Sequence, residues 1–256
     1  MVSFVGAGSG APDLITMRGV NRLREADVVI YAGSLVNPEL LHYTQADCAQ
    51  YNSAGMTLEA VIATMVQAEE EGKKVVRLHT GDPSLYGAIG EQMAELDERG
   101  IAYEVVPGVS SFLAAAAALP VEFTVPSGSQ SVILTRMEGR TPVPERESIR
   151  SLAQHRAAMA VFLSASMMGK LAEELIAGGY SQNTPVAIVY KASWPEEKVI
   201  RTDIAHMAEA TANEKVFKTA QILIGDFLLP SQTRSKLYDP SFSHEYRSME
   251  ENTQDG

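Results

Sequence analysis

The 256-residue sequence holds a single cysteine, Cys48, and that scarcity excludes a good deal. One cysteine can form neither an intrachain disulfide framework nor a cysteine-only metal cluster. It fits a reducing, cytoplasmic setting. Histidine is sparse as well: the five residues at 42, 79, 155, 206 and 244 are scattered and show no metal-ligand spacing. No H-E-x-x-H, no G-x-S-x-G elbow and no P-loop occur, so chemistry that needs a metal or an activated nucleophile finds no support. Long apolar runs are missing too. The longest, Phe112 to Val121, is about half the length of a membrane helix. No basic segment precedes the apolar Val2–Gly6, so no secretion signal is expected. Positive charge is short: the net charge of −11 argues against nucleic acid as partner. A small polyanionic ligand stays possible, because a few Arg and Lys in one pocket set their own local field.

What the sequence does contain is alternation of strand and helix. VSFVG (2–6), DVVIY (27–31), KVVRLH (74–79) and YEVV (103–106) read as strands. Between them lie helical patterns: DLITMRGVNRLREA, a segment capped by Thr57 with Leu58, Val61, Ile62, Met65 and Val66 on one face, and a helix starting at Asp82-Pro83. Short connections imply a parallel sheet covered on both faces. Pro107-Gly108 and a turn-rich stretch around Pro120, Pro126 and Gly128 break the pattern. Strands follow at SVILTR, MAVFLS, VAIVYKA, KVIRT and AQILIGDFL, with helices near 145–156, at MMGKLAEELIAGG and near 203–212. The pair VAIVYKA and KVIRT, joined by SWPEE, reads as an antiparallel hairpin, so the second sheet should be mixed. The expected organisation is an α/β domain over 1–115, a second over 120–230, and a polar tail over 231–256. That tail should be partly disordered, with Leu237, Tyr238, Phe242 and Tyr246 able to dock.

Four stretches are candidates for a site. In FVGAGSGAPDLIT, Gly6, Gly8 and Ala11 match the permissive dinucleotide fingerprint, which points to nicotinamide chemistry. Against it, the second strand ends without an acid, and Pro12 sits where the phosphate-binding helix should begin. A tight turn that only needs glycine, or a loop approached by another ligand or by the second domain, explains it as well. In VRLHTGDPSLYGAIGEQM, Asp82 and Pro83 suit a helix start. Gly81, Tyr86 and Gly87 are left over, at the carboxyl end of a strand where open α/β sheets bind ligands. In PGVSSFLAAAAAL, the alanine run suits a close-packed helix, while Ser110 and Ser111 could cap it or bind a ligand. In TRMEGRTPVPE, two arginines around a glycine suit carboxylate recognition, and VYKASWPEE adds Lys191 and the single tryptophan, Trp194.

Together these stretches resemble the tetrapyrrole (corrin/porphyrin) methyltransferases, which use S-adenosylmethionine. The resemblance covers residues 2–230. VGAGSGAPDLIT looks like the family's Gly-Ala-Gly-Pro-Gly-Asp-Pro opening, and HTGDPSLYG like its Gly-Asp-Pro loop. VPGVSSF, FLSAS, VAIVYKASWPEE and AQILIGDF fall in the family's order. Ser9 and Ala11 depart from its usual proline and aspartate. YAGSLV, AGMTLE, LHTGDPSLYGAIGEQM, QSVILTRMEGRTPVPE and YKASWPEEKVIRT carry a finer likeness to its corrin-modifying branch in cobalamin biosynthesis. Relatives acting on uroporphyrinogen usually show Gly-Gly-Asp-Pro where Thr80-Gly81-Asp82-Pro83 stands here.

The resemblance implies two α/β domains, the N-terminal sheet parallel and the C-terminal mixed, with the site in the cleft between them. It implies the tetrapyrrole methylase fold, not the Rossmann one, and a homodimer. Cofactor contacts implied by motif are Gly81, Asp82, Tyr86, Ser110, Ser111, Leu163, Ser164, Ala192 and Ala220. S-adenosylhomocysteine would be the product, and the reaction would be in-line methyl transfer to a ring carbon, which needs mainly proximity and alignment. No catalytic base and no metal ligand is named. The many carboxylates of a tetrapyrrole call for cations, for which Arg136, Arg140 and Lys191 are the candidates, with Arg18 and Arg77 behind them.

Overall fold

The computed structural model describes residues 1–126 and 128–230, and residues 235, 242, 243 and 245 beyond them. Of the expected tail, Leu237, Tyr238 and Tyr246 lie outside the described residues. The first half comprises β1 (Val2–Gly6), α1 (Met17–Glu25), β2 (Val28–Tyr31), β3 (Ala49–Asn52), α2 (Leu58–Glu70), β4 (Val75–His79), α3 (Ile89–Glu98) and β5 (Tyr103–Val106). Its five strands run in the order β3-β2-β4-β1-β5, and every pairing is parallel. All five carboxyl ends therefore lie on one edge.

Alternation along the strands divides the core into two layers. Val5, Val29, Val76 and Leu78 face α1, packing with Val20 and Leu23. Val2, Phe4, Val28, Ile30 and Val75 face α2 and α3, packing with Val61, Ile62, Met65 and Leu96. Each fully buried side chain of this size stabilises the fold by about 1.5–3 kcal/mol. Helix starts follow the caps: Thr16 accepts from the Gly19 N–H at 3.1 Å, and Thr57 from the Ala60 N–H at 3.3 Å.

The helix expected from Asp82-Pro83 begins only at Ile89. Tyr86 and Ala88 both have left-handed backbone, with φ of 57° and 50°, and two such residues break a helical path. Asp82 and Pro83 instead open a compact turn, in which a Cβ on Gly87 would meet the Pro83 carbonyl oxygen at 2.1 Å. The short polar edge strand β3 went unpredicted.

The second half comprises α4 (Ser111–Ala118), β6 (Val132–Arg136), α5 (Ile149–Ala153), β7 (Ala158–Phe162), α6 (Met168–Ala177), β8 (Pro185–Tyr190), β9 (Lys198–Asp203), α7 (Met207–Asn213) and β10 (Ala220–Ile224). The order is β6-β7-β10-β8-β9, parallel only between β6 and β7, so the sheet is mixed as expected. The β8–β9 hairpin is present in register. Met159, Val161, Ile188, Ile222 and Ile224 face Ile149, Leu171, Leu175 and Met207. The opposite face is built from Ala158, Ala160, Ala187 and Leu223, onto which Ala114 and Ala115 of α4 pack. Small residues on both sides bring helix and sheet close, which accounts for the alanine run.

Three glycines fix how the adjacent strands β4, β1 and β5 of the first sheet end. A Cβ on Gly6 would stand 2.6 Å from both Gly108 Cα and the Gly81 oxygen, and one on Gly108 would stand 2.1 Å from that same oxygen. Gly108→Ala is expected to cost about 1–3 kcal/mol by overpacking. Gly55→Ala, where a Cβ has nothing within 4 Å, should stay within about 0.5 kcal/mol of the parent. Urea unfolding monitored by circular dichroism reads both.

Candidate functional site

The loops leaving the carboxyl ends of β1, β2, β4 and β5 are laced together by their own main chain. Ala7 N–H donates to the His79 carbonyl at 2.7 Å. Gly8 and Gly81 exchange a pair of bonds, at 3.2 and 2.8 Å. The Asn37 side-chain amide donates to the Gly10 carbonyl at 2.8 Å, and the Thr80 hydroxyl to the Leu35 carbonyl at 2.6 Å. Asp82 completes the lacing: one carboxylate oxygen accepts from the Gly108 N–H at 2.8 Å, the other from the Ser84 N–H at 2.9 Å and from the Ser84 hydroxyl. Burial alone would raise the Asp82 carboxyl; the bonds from Ser84 and Gly108 outweigh it and hold the group below its ordinary value.

The second sheet presents a matching rim. Because β10 runs antiparallel to both β7 and β8, the ends of β6, β7 and β8 share an edge with the start of β10. Arg136 pairs in register with Phe162, and Tyr190 with Ala220. This edge meets the loops of the first sheet. The Ser193 hydroxyl is 2.8 Å from that of Ser9 and accepts from the Ala11 N–H at 3.0 Å. Trp194 Nε1–H donates to the Ser9 carbonyl at 3.0 Å. Its ring lies where a Cβ on Gly10 would fall, 2.1 Å away. The Tyr86 and Phe162 rings are 5.2 Å apart, and the Ser111 hydroxyl donates to Gln221 Oε1 at 2.9 Å.

Backbone strain collects on these facing rims. Besides Tyr86 and Ala88, left-handed φ angles occur at Leu163 (53°), Lys191 (47°), Ser193 (68°) and Thr219 (55°). Such a residue costs on the order of 1–3 kcal/mol and persists only where its surroundings over-determine it, commonly in a binding site.

The fingerprint glycines face protein. Gly6 meets Gly81 and Gly108, a Cβ on Gly8 would meet the Leu14 carbonyl at 2.7 Å, and Gly10 meets Trp194. That leaves no place for a pyrophosphate against this loop, and the nicotinamide reading is corrected accordingly. The reading in which the second half approaches the loop matches the structure.

The expected cofactor residues gather on the two rims. Tyr86 and Leu163 are exposed, Leu163 by 69% despite its size. Asp82, Ser111 and Ala220 are half-buried, while Gly81, Ser110 and Ala192 are buried with only small side chains in the way. Ser164 differs from the others: it is 0% exposed, and its hydroxyl donates to the Phe162 carbonyl at 2.6 Å and accepts from the Met137 N–H at 2.9 Å. Its hydroxyl shapes the turn after β7. Burial raises the Tyr86 phenol, and the charge of Arg136 draws it partly back.

Of the expected cations, Arg136 donates to the carbonyls of Met137, Thr141 and Pro142 at 2.9–3.2 Å and so shapes its own loop. Arg140 is exposed. Lys191 is 3.3 Å from Glu196 and lies over the Trp194 ring at 5.3 Å. Arg18 is exposed and lies near Glu104, whose carboxyl is held down first by Arg22. Arg77, unlike the other four, is buried between β4 and α3. Asn37, Phe162, Ser193 and Gln221 were missed. Asn37 directly precedes a proline and Ser193 directly precedes the single tryptophan, which were the available signals. Two cavities of about 390 and about 980 Å³ lie elsewhere, beside α2 and around His155.

Known proteins share this sequence and this fold. Residues 1–208 match the family model of the tetrapyrrole (corrin/porphyrin) methylases. The cobalt-precorrin-4 C(11)-methyltransferase of Methanocaldococcus jannaschii is 56% identical over 247 residues, covering 96% of this chain and 95% of that protein. The crystal structure of a cobalamin biosynthetic enzyme, a cobalt precorrin-4 methyltransferase, superposes with a TM-score of 0.88 at 48% identity. It covers 90% of this chain and 96% of its own. The uroporphyrin-III C-methyltransferase of Thermus thermophilus, solved with S-adenosylhomocysteine, has a TM-score of 0.76 at 27% identity, covering 89% and 98%.

The lowered Asp82 carboxyl makes a pH-dependent contribution. With its folded value below the ordinary 3.8, the stabilisation is present above that pH and lost as pH falls through the folded value. Asp82→Ala is expected to cost about 1–2 kcal/mol at pH 7, the low end for an orphaned N–H because the carboxylate is partly exposed. The gap to the parent should narrow below about pH 4. Urea titrations at pH 7, 4 and 3 check it.

Proposed function

The chain belongs to the tetrapyrrole (corrin/porphyrin) methylases, and we propose that it is the enzyme that methylates C-11 of cobalt-precorrin-4 or precorrin-4 in cobalamin biosynthesis. The observation that carries this reading is the 56% identity, across nearly the whole of both chains, to a cobalt-precorrin-4 C(11)-methyltransferase. The methyl donor is S-adenosylmethionine, whose sulfonium supplies a methyl group that is already electrophilic. A relative solved with S-adenosylhomocysteine supports that choice.

The residues at the cleft suit such a ligand. Gly81, Ala192 and Ala220 keep side chains out of the way, so main-chain groups can approach a flat base and a ribose closely. Tyr86 and Leu163 supply exposed apolar surface on opposite rims. Ser110 and Ser111 sit at the start of α4, with the Ser111 hydroxyl oriented by Gln221. Asp82 acts indirectly, holding the 81–88 loop to Gly108. With the in-line direction fixed by these walls, the protein's part is to align donor and acceptor, a contribution of up to about 7–11 kcal/mol for well-oriented partners.

The acceptor carries many carboxylates. Arg136, Arg140 and Lys191 are the residues proposed to meet them, Arg136 and Lys191 from positions already braced and Arg140 from an exposed loop. The halves 1–115 and 120–230, joined through α4, are proposed as the two domains that close around both ligands. A cytoplasmic homodimer is proposed as the working form. Among the described residues no helix is long and apolar enough to cross a membrane.

Incubation with methyl-labelled S-adenosylmethionine and tetrapyrrole intermediates, with and without cobalt, tests the reading. Mass spectrometry should locate the label at C-11, and absence of transfer to every tetrapyrrole would overturn it. Arg140→Ala should raise KM for the tetrapyrrole about tenfold, the loss of one charge-assisted bond. Calorimetric affinity for S-adenosylhomocysteine should not change.

A further inference from the structure

Beneath the 81–88 loop lies a buried polar group that the proposed reaction does not use. Arg77 is 8% exposed and Gln92 5%. Arg77 Nε–H donates to Gln92 Oε1 at 3.2 Å, and Nη1–H to the Ile30 carbonyl at 3.2 Å. Its guanidinium is drawn down to about 10 by burial alone, with no carboxylate acting on it. His79, two residues along the same strand, supplies no counter-charge: burial first, and then Arg77, bring it down to about 3. Its Nε2 is the buried side-chain atom left without a partner among the described residues.

For packing alone, an apolar side chain would serve better than a buried unpaired cation. What the guanidinium adds is orientation. The two ends of a glutamine amide are alike in shape and opposite in chemistry. A donor-only arginine on one side fixes the oxygen end toward itself. The nitrogen end is then turned the other way, where Nε2–H donates to the Ala88 carbonyl at 3.0 Å. Ala88 is the left-handed residue that closes the loop, and Tyr86, also left-handed, is two residues before it. The Tyr86 ring in turn meets Phe162 on the opposite rim.

We propose that Arg77 and Gln92 are positioning residues for methyl transfer: Arg77 orients the Gln92 amide, Gln92 holds the Ala88 carbonyl, and that hold sets Tyr86 in the cleft. The role rests on reading the cleft as the methyl-transfer site.

Three variants test it. Gln92→Leu removes both bonds and should lower kcat/KM about tenfold. Amide hydrogen exchange over 83–88 in the unliganded protein should quicken by a similar factor. Gln92→Glu still accepts from Arg77 and gives it a counter-charge, yet cannot donate to Ala88. Its thermal stability should equal or exceed the parent's, while turnover and exchange over 83–88 change as in Gln92→Leu. Adding Ala88→Gly to Gln92→Leu should restore kcat/KM to within about threefold of the parent, because glycine holds this φ unaided. Parental exchange and turnover in Gln92→Glu, or no recovery with Ala88→Gly, would overturn the proposal. If Gln92→Glu does not fold, the Gln92→Leu and Ala88→Gly pair decides. A parent that methylates no tetrapyrrole would sink the reading of the cleft, whereas exchange over 83–88, measured without ligand, tests the hold on the loop independently.

Discussion

Three stretches of backbone meet with no side chain between them, and the joining of the first sheet's loops depends on that meeting. Gly6, Gly81 and Gly108 each leave β1, β4 and β5 at the same height, close enough that a single methyl group on Gly6 or Gly108 would strike its neighbours. Contact at that distance brings N–H and carbonyl groups of different loops within bonding range. The Gly8–Gly81 pair and the Asp82–Gly108 bond follow from it. A parallel sheet places its loops on one edge, but it does not join them. The glycines do.

The second half of the chain completes what the first begins. Trp194, Ser193 and Phe162 each reach across to a loop of the first sheet, by a ring or a hydroxyl, and Gln221 holds the start of α4 through Ser111. Left-handed residues stand on both sides of the join. These contacts offset the strain, so the two rims hold each other in conformations that neither sequence segment prefers by itself. Polar and aromatic contacts are well suited to this, since they fix direction as well as distance.

Much of this was legible in the sequence. Buried strands such as VSFVG and KVVRLH declare themselves by β-branched runs between turn signals, and the mixed second sheet follows from the hairpin around SWPEE. The likeness of six ordered stretches to one family pointed to the family that the matching model and relatives show. What stayed hidden has physical causes. AQYN, which forms β3, is short, polar and at a sheet edge, so it carries no apolar period. Asp82-Pro83 has the form of a helix start, but φ at Tyr86 and Ala88 is set by tertiary contacts. Ser164 stands in a motif that the resemblance assigns to the cofactor. Only the fold shows its hydroxyl turned inward. Arg77 read as a free cation for the same reason: local sequence does not say which face of a strand is covered.

The Trp194 ring resting over Gly10 also bears on how the chain is made. The glycine-rich loop leaves the ribosome well before the residues that cover it, which lie 184 and 185 positions further along. Closing a loop of that length is entropically costly and comes late relative to local structure. For most of its synthesis, then, the first sheet exists with its glycine loop uncovered. The join between the two halves is made late, and a chain cut short before Ser193 can complete the first sheet but cannot cover its glycine loop.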